Sequence, residues 1–360
     1  MHNEKKPHGF LKGLAGYAAI MLLVICGGLW FFWKYIAAFE ASRPTTTASA
    51  WLQQHPLAQI LDGDIEWFSQ FDSRIQSDSY CREYVKEHVA EPLSCLKDLG
   101  ESTEEQLVFR IRSEKQTIGK LYLEPTGQTK FGFTQWEVSD ADYDFSFLEG
   151  DPVEITVPAV CRVLINSTEL QEQEITEKEI HYPMLEEFYD SYTLPTLVRY
   201  RVEHLLGQPE VTILDENGNV IAQQTDVDAY LQDCGEEDAA RVQAITSKFL
   251  SGYVKFCGSG PSSVRKNFSV VAATLVPDGA LLRRLHSAIS GMEYGQSGGD
   301  KIDSVTVHRT VRLSEERFLC DITYVVSTKG KKGVVQTTMH MKVIAVEMGK
   351  GLRIEAMTQY

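Results

Sequence analysis

The longest charge-free stretch of the chain lies close to its start. Residues 14–33 carry no charged side chain, and twenty residues at about 1.5 Å per residue span the roughly 30 Å hydrocarbon core of a bilayer. Five aromatic residues at the end of this stretch are typical of a membrane interface: Trp30, Phe31, Phe32, Trp33 and Tyr35. The pattern predicts a tail over residues 1–13 and a transmembrane helix over residues 14–35.

The charges that flank this segment predict its orientation. Lys5, Lys6 and Lys12 precede it, whereas Lys34 is the nearest cation after it, so the positive-inside rule places the N-terminus in the cytoplasm and the rest outside the cell membrane. The alternative is a cleaved signal peptide. Its apolar core would be shorter, and a cleavage motif of small residues would follow closely; the motif at 48–50 is far downstream. An uncleaved anchor is therefore the favoured interpretation.

Apolar residues after the anchor first follow a helical period and then a period of two. The helical part covers residues 36–71, interrupted at 43–47, and a second helical stretch is expected at 78–99. Alternation then starts at Leu107 and continues to Val138. Helices followed by an antiparallel meander predict an α+β membrane-proximal domain over residues 36–148.

Residues 149–233 change in composition. Val153–Ile165 is rich in β-branched residues, further strands are expected at 197–202 and 211–214, and a turn at 215–219 leads into Val220. The pattern predicts a small β-sandwich module of immunoglobulin-like type.

The last part of the chain, residues 234–360, again begins with helices. Helical faces are expected at about 236–256, 262–275 and 279–290, and four strands at about 302–313, 317–328, 333–347 and 351–358. Three helices followed by a long meander is the order found in the NTF2-like (cystatin-like) α+β fold. Residues 234–360 resemble that superfamily, which implies a cone with a pocket between helices and sheet. The predicted fold class of the whole chain is α+β.

An anchor, a β module and an NTF2-like end also resemble membrane-anchored envelope proteins of Gram-positive bacteria. This resemblance implies a non-enzymatic protein that presents a binding domain to a ligand, a wall polymer or a protein partner. Two alternatives stay open: an isomerase or dehydratase that uses the pocket, and a ligand-sensing subunit of a membrane complex.

Strand alternation places the candidate pocket residues. The face expected to line the cone offers Arg309, Cys320 and Tyr324, whereas His308 and His340 fall on the outer face. That inner face contains no carboxylate for acid–base chemistry. We therefore expect a binding pocket, with no catalytic residue and no cofactor.

The distribution of charge along the chain indicates one further candidate surface. The formal net charge is −15, which disfavours nucleic acid as a partner, but residues 234–360 carry a small basic excess. Four lysines at expected turns form a candidate basic surface: Lys329, Lys331, Lys332 and Lys350. Its possible partners are an anionic wall polymer or an envelope protein, and the alternative is a solubilising turn that blunts a strand edge.

Seven cysteines give no zinc-type pair, since no two are spaced as Cys-x-x-Cys. We expect no metal site. Cys81 and Cys95 lie in one predicted domain and form the candidate disulfide.

Overall fold

The computed structural model describes residues 8–292, 300–330, 333–349 and 351–360. Two compact units divide the chain. Unit 1 comprises Met1–Pro152 with the short segments Ile165–Thr168 and Val202–Val211. Unit 2 comprises Val153–Leu164, Glu169–Arg201 and Thr212–Tyr360. Residues of the expected β module belong to both units, so the domain boundaries drawn from the sequence stay predictions.

Helix α1, His8–Ala41, contains the predicted membrane segment. In the described part of the chain it is the one helix long and apolar enough to cross a membrane. Its apolar side chains are exposed over most of its length. The helix ends where the Ser42 hydroxyl donates a hydrogen bond to the carbonyl of Phe39 at 2.7 Å. Pro44 already begins the next helix, so a break occurs after α1 as expected but is shorter than residues 43–47.

The rest of unit 1 is a layer of short helices on a four-stranded antiparallel sheet of order β1-β2-β3-β4. The helices are α2 Pro44–Gln54, α3 Leu57–Leu61 and α4 Asp78–His88, with 3₁₀ turns at Glu66–Gln70 and Ser146–Leu148. The strands are β1 Ser94–Asp98, β2 Leu107–Ser113, β3 Gln116–Gln128 and β4 Thr134–Tyr143. Fully buried side chains such as Val85, Phe109 and Leu121 form the core between the two layers.

The expected helix at 78–99 is only half right. Helix α4 ends at His88, and residues Ser94–Asp98 form strand β1, paired antiparallel with β2 from Ser94↔Arg112 to Asp98↔Val108. Pro92 lies between the two elements, and proline does not continue a helix. Pairing with β2 then sets the conformation of residues Ser94–Asp98. The local spacing of apolar residues did not reveal this pairing.

The β-rich region forms two small sheets, of order β5-β9-β8 and β11-β10-β6-β7. Their strands are β5 Val153–Pro158, β6 Arg162–Ile165, β7 Thr168–Glu169, β8 Ile175–Ile180, β9 Leu197–Val202, β10 Val211–Leu214 and β11 Val220–Ile221. Short 3₁₀ turns occur at Glu172–Glu174, Pro183–Phe188 and Val227–Tyr230. The expected strands and the turn into Val220 are confirmed, and an immunoglobulin-like arrangement stays a prediction.

The largest sheet of unit 2 has the order β12-β13-β14-β15-β16. Its strands are β12 Gln232–Asp233, β13 Lys301–Arg312, β14 Arg317–Gly330, β15 Gly333–Met348 and β16 Gly351–Gln359. Three helices precede its long strands: α5 Glu236–Cys257, α6 Val264–Ala272 and α7 Ala280–Met292. These elements match the expected order of three helices and a four-stranded antiparallel meander.

Both faces of this sheet carry buried apolar residues. Helices α5–α7 cover the inner face, where Phe318, Cys320 and Ile322 of β14 pack with Phe249 of α5. The outer face is covered over part of its area by a segment from the β-rich region, which we call the covering segment, residues 182–197. Its Leu185 is 0% exposed, so the contact is a true core rather than a surface patch.

Candidate functional site

The inner face of the sheet opens into a cavity of about 130 Å³. The cavity lies where α5 ends and where β14, β15 and β16 reach their far ends. The lining residues are Tyr253, Val254, Cys257, Asp300, Tyr324, Val326, Thr328, Thr337, Met339 and Gln359. An engineered dry cavity of about 150 Å³ holds benzene, so this cavity suits a ligand of similar size.

Asp300, which directly precedes β13, brings a carboxylate into this cavity. Its Oδ1 is buried and has no hydrogen-bond partner among the residues that the structure describes. The carboxylate lies against the end of α5, since a Cβ built on Gly258 would come within 2.9 Å of Oδ2. The carboxyl end of a helix carries partial negative charge. Asp300 is thus in a position that favours a cationic or hydrogen-bond-donating ligand.

Two tyrosines and a thiol line the cavity with Asp300. Burial raises the pKa of Tyr324 to about 12 and also raises the pKa of Tyr253, so both phenols stay protonated at neutral pH. Cys257 is exposed as a residue, yet desolvation by neighbouring protein atoms raises the pKa of its thiol, and the Asp300 charge adds to the effect. A ligand that contacts the Asp300 carboxylate therefore also contacts neutral hydrogen-bond donors and aromatic rings.

The structure separates the three residues predicted for the pocket. Tyr324 lines the cavity. Cys320 lies on the same face but deeper, 0% exposed, and its Sγ is 3.9 Å from the hydroxyl of Thr310. Burial raises the pKa of the Cys320 thiol, which makes it a core residue by environment.

Arg309 lies on the outer face of the sheet, and its expected place in the pocket is corrected. A bulge between Val307 and Arg309 shifts the register of β13 against β14, and one extra residue reverses the faces of all that follow. The Nε of Arg309 donates to Asp233 Oδ1 at 2.6 Å, and its terminal nitrogens donate to the carbonyls of Asp228 and Leu231. Through these hydrogen bonds, Arg309 holds β12 at the edge of the sheet.

The histidines of the sheet lie on the outer face, as predicted. The ring Nε2 of His308 is 2.6 Å from the hydroxyl of Thr323, and the Nδ1 of His340 is 2.9 Å from the same hydroxyl. Neither residue lines the cavity. His286 of α7 lines a different, open cleft beside Phe268.

Of the four lysines in the candidate basic surface, Lys329 is the one that the structure describes. Lys329 is exposed near the end of β14, and its backbone pairs with Val334 across the hairpin. Lys331, Lys332 and Lys350 lie outside the described residues. A joint basic surface stays a prediction.

The predicted disulfide is not formed. Cys81 and Cys95 are both free thiols. Cys81 lies on the buried face of α4, and its Sγ is 3.9 Å from the carbonyl of Gln76. Cys95 lies on β1, and its Sγ is 3.5 Å from the Ser49 hydroxyl. The two side chains have separate neighbours. Within the described ranges, no group of three His, Cys, Asp or Glu residues is arranged to hold a metal ion.

Strand alternation did not predict Asp300 as a site residue, because alternation assigns a face only to residues within a strand. Asp300 precedes the first residue of β13 and enters the cavity from the end of the strand rather than from its face. The available indication was its position after Gly298 and Gly299, since glycines often mark a turn before a strand.

Comparisons with known proteins leave the family open. No protein-family model matches the chain, and no curated protein matches it. Among solved structures, the chain is similar to the intermembrane space region of the chloroplast protein ARC6, with 16% identity, 34% of this chain and 95% of that chain covered, and a TM-score of 0.28.

Two further solved structures are similar over about the same share of the chain. An IcmL-like type IV secretion system protein from Legionella pneumophila has 7% identity, 36% and 94% coverage of the two chains, and a TM-score of 0.28. A protein of the NTF2-like family from Streptomyces avermitilis has 12% identity, 35% and 97% coverage, and a TM-score of 0.25. With TM-scores this low, none of these similarities identifies a family.

We predict that Cys257 reacts slowly with iodoacetamide at neutral pH and that its rate rises about tenfold between pH 7 and 8. The reason is its pKa, which lies above the usual value, so the reactive thiolate is a small fraction throughout this range. Mass spectrometry of the alkylated full-length chain measures the rate. Buried Cys320 is the internal control and stays unmodified while the chain is folded. A plateau in the Cys257 rate below pH 8 would show that the environment assigned to this thiol is wrong.

Proposed function

We propose that this chain is a membrane-anchored, extracytoplasmic binding protein whose C-terminal unit holds a small ligand against Asp300. The proposal rests on Oδ1 of Asp300, which is buried in an aromatic-lined cavity and has no hydrogen-bond partner among the described residues. A buried carboxylate oxygen without a partner is costly. A ligand that donates a hydrogen bond removes that cost, and this gain favours binding.

The chemical class of the ligand follows from the lining. Asp300 accepts a charge-assisted hydrogen bond from an ammonium or a neutral N–H donor. Tyr253 and Tyr324 line the same cavity, and aromatic rings attract a nearby cation. Val254, Val326 and Met339 supply apolar contact. We therefore propose a small amine with an apolar body of roughly benzene size.

Anchoring rests on α1. Its charge-free core is long enough to cross the bilayer, and the N-terminal lysines favour a cytoplasmic N-terminus. An NTF2-like assignment of residues 234–360 belongs to the same proposal and is supported by the order of helices and strands. An envelope of Gram-positive type is proposed from the resemblance drawn from the sequence alone. An anionic wall polymer at Lys329 and its neighbouring lysines is a further proposed partner.

A proton-transfer enzyme is the second candidate, and Asp300 beside two protonated tyrosines favours it. Such enzymes pair a carboxylate base with phenol donors. We place binding first because a general base needs a second group that orients it, and Oδ1 of Asp300 lacks a partner in the described structure. Exchange of the α-hydrogens of cyclohexanone in deuterium oxide, catalysed by the native chain and lost in Asp300→Asn, would instead support the enzyme.

We predict that benzylammonium binds the full-length chain in detergent micelles and that Asp300→Asn weakens its binding about tenfold, since one charge-assisted hydrogen bond is lost. Ligand-detected NMR measures the affinity. Benzoate, of the same size and opposite charge, should not bind.

Asp278→Asn is the matched control for this prediction. Asp278 is exposed and lines the other cleft, so this variant changes the charge equally and should bind benzylammonium as the native chain does. Gly258→Ala keeps the carboxylate but crowds it from 2.9 Å, and it should also weaken binding. Equal affinity of Asp300→Asn and Asp278→Asn would contradict the proposed site.

We predict that protease added to intact protoplasts digests the part of the chain after α1 and spares an N-terminal tag, because the three N-terminal lysines hold the tail in the cytoplasm. Immunoblotting against tags at both ends measures this. Permeabilised cells serve as the control, in which both tags are lost. Full protection of the C-terminal tag in intact protoplasts would reverse the orientation.

A further inference from the structure

The tip of the β3–β4 hairpin packs against the anchor helix within unit 1. Its residues, 129–133, carry two phenylalanines that form edge contacts with one face of α1. Phe131 lies 5.7 Å from Phe31 and 5.5 Å from Tyr35 between ring centroids. Phe133 lies 5.1 Å from Tyr35 and 5.4 Å from a third ring of α1 one turn further on, Phe39. These aromatic contacts, made with residues spaced four apart on α1, align the hairpin tip along the helix.

The tip has a defined backbone. The amide of Thr129 donates to the carbonyl of Phe133 at 2.8 Å, and the amide of Gly132 donates to the carbonyl of Thr129 at 2.9 Å. The Thr129 hydroxyl accepts from the amides of Phe131 and Phe133 at 3.3 and 3.0 Å. Gly132 has a φ of 82°, which glycine adopts without strain. The two rings are therefore presented by a closed turn.

The contacts fix the depth of the tip relative to the bilayer. Phe31 belongs to the charge-free stretch 14–33, and Tyr35 belongs to its aromatic belt. A ring that touches both lies at the boundary between hydrocarbon and headgroups. Residues 124–128, which lead to the tip, are all exposed, so the hairpin reaches this level as a projecting arm.

We propose that the hairpin tip is a second membrane contact, in which Phe131 and Phe133 enter the bilayer interface beside α1 and Lys130 faces anionic headgroups. This inference rests on the proposed anchor. Both rings are half-buried against α1, and the surface they leave uncovered meets lipid at that depth. Lys130 directly precedes Phe131 in the tip and is exposed, and a lysine at this depth can extend its long side chain towards lipid phosphates. The hairpin thus holds unit 1 on the membrane at two points instead of one.

The test uses the full chain in vesicles of phosphatidylethanolamine and phosphatidylglycerol, with the photoreactive residue p-benzoylphenylalanine at single positions. At Phe131 it should give lipid adducts by mass spectrometry within about threefold of the yield at Phe32, which is 59% exposed on α1. Phe147 is the matched control. Phe147 is 39% exposed. It comes shortly after Tyr143, which pairs with Gly119 at the base of the hairpin. At roughly 3.3 Å per residue, this base is about 30 Å from the tip. The yield at Phe147 should be at least about tenfold lower.

The outcomes separate the hairpin from the anchor. Adducts at Phe32 without adducts at Phe131 overturn the hairpin proposal and leave the anchor intact. No adducts at either position overturn both. Lys130→Glu should lower the Phe131 yield in these anionic vesicles and leave it unchanged in phosphatidylcholine vesicles. If the variant gives the same yield as the native chain in both kinds of vesicle, the role of Lys130 is contradicted.

Discussion

The five-stranded sheet of unit 2 depends on apolar cover from both sides. Along β14, Phe318, Cys320 and Ile322 pack under the helices, while Leu319 packs under the covering segment. Helices α5–α7 cannot shield the second face. A sheet with two apolar faces is stable in water only when both are covered, so residues 182–197 are part of the core of this sheet although they precede it by far in the chain.

The same constraint explains where the cavity lies. The covering segment packs against one end of the sheet, where Val311, Leu319 and Ile344 are buried. Towards the other end the outer face becomes polar, with His308 and His340 around Thr323. On the inner face α5 stops at Cys257, before the strands end, and leaves room between its last turn and the sheet. Asp300 enters that room, so the cavity follows from a difference in length between a helix and the strands beneath it.

Periodicity in the sequence predicted most of the elements because each one buries one face. The helices and long strands of residues 236–359 and the interruption after α1 were found in this way. Three features could not be found. Strand β1 depends on pairing with β2, the place of Arg309 depends on a bulge, and Asp300 enters from the end of a strand. All three are set by neighbours distant in sequence rather than by local pattern. The disulfide was expected from shared membership of a domain, whereas bonding requires a close approach of the two sulfur atoms.

Urea unfolding of two fragments shows directly whether the covering segment belongs to the core of the C-terminal sheet. Without residues 182–197, a fragment of residues 235–360 exposes the outer-face residues Val311, Leu313, Leu319, Ile344 and Ala356. That exposure costs on the order of 5–10 kcal/mol, which is comparable to the whole stability of a domain. We expect a cooperative transition for residues 153–360 and none for residues 235–360. The same unfolding midpoint for both fragments would contradict this expectation.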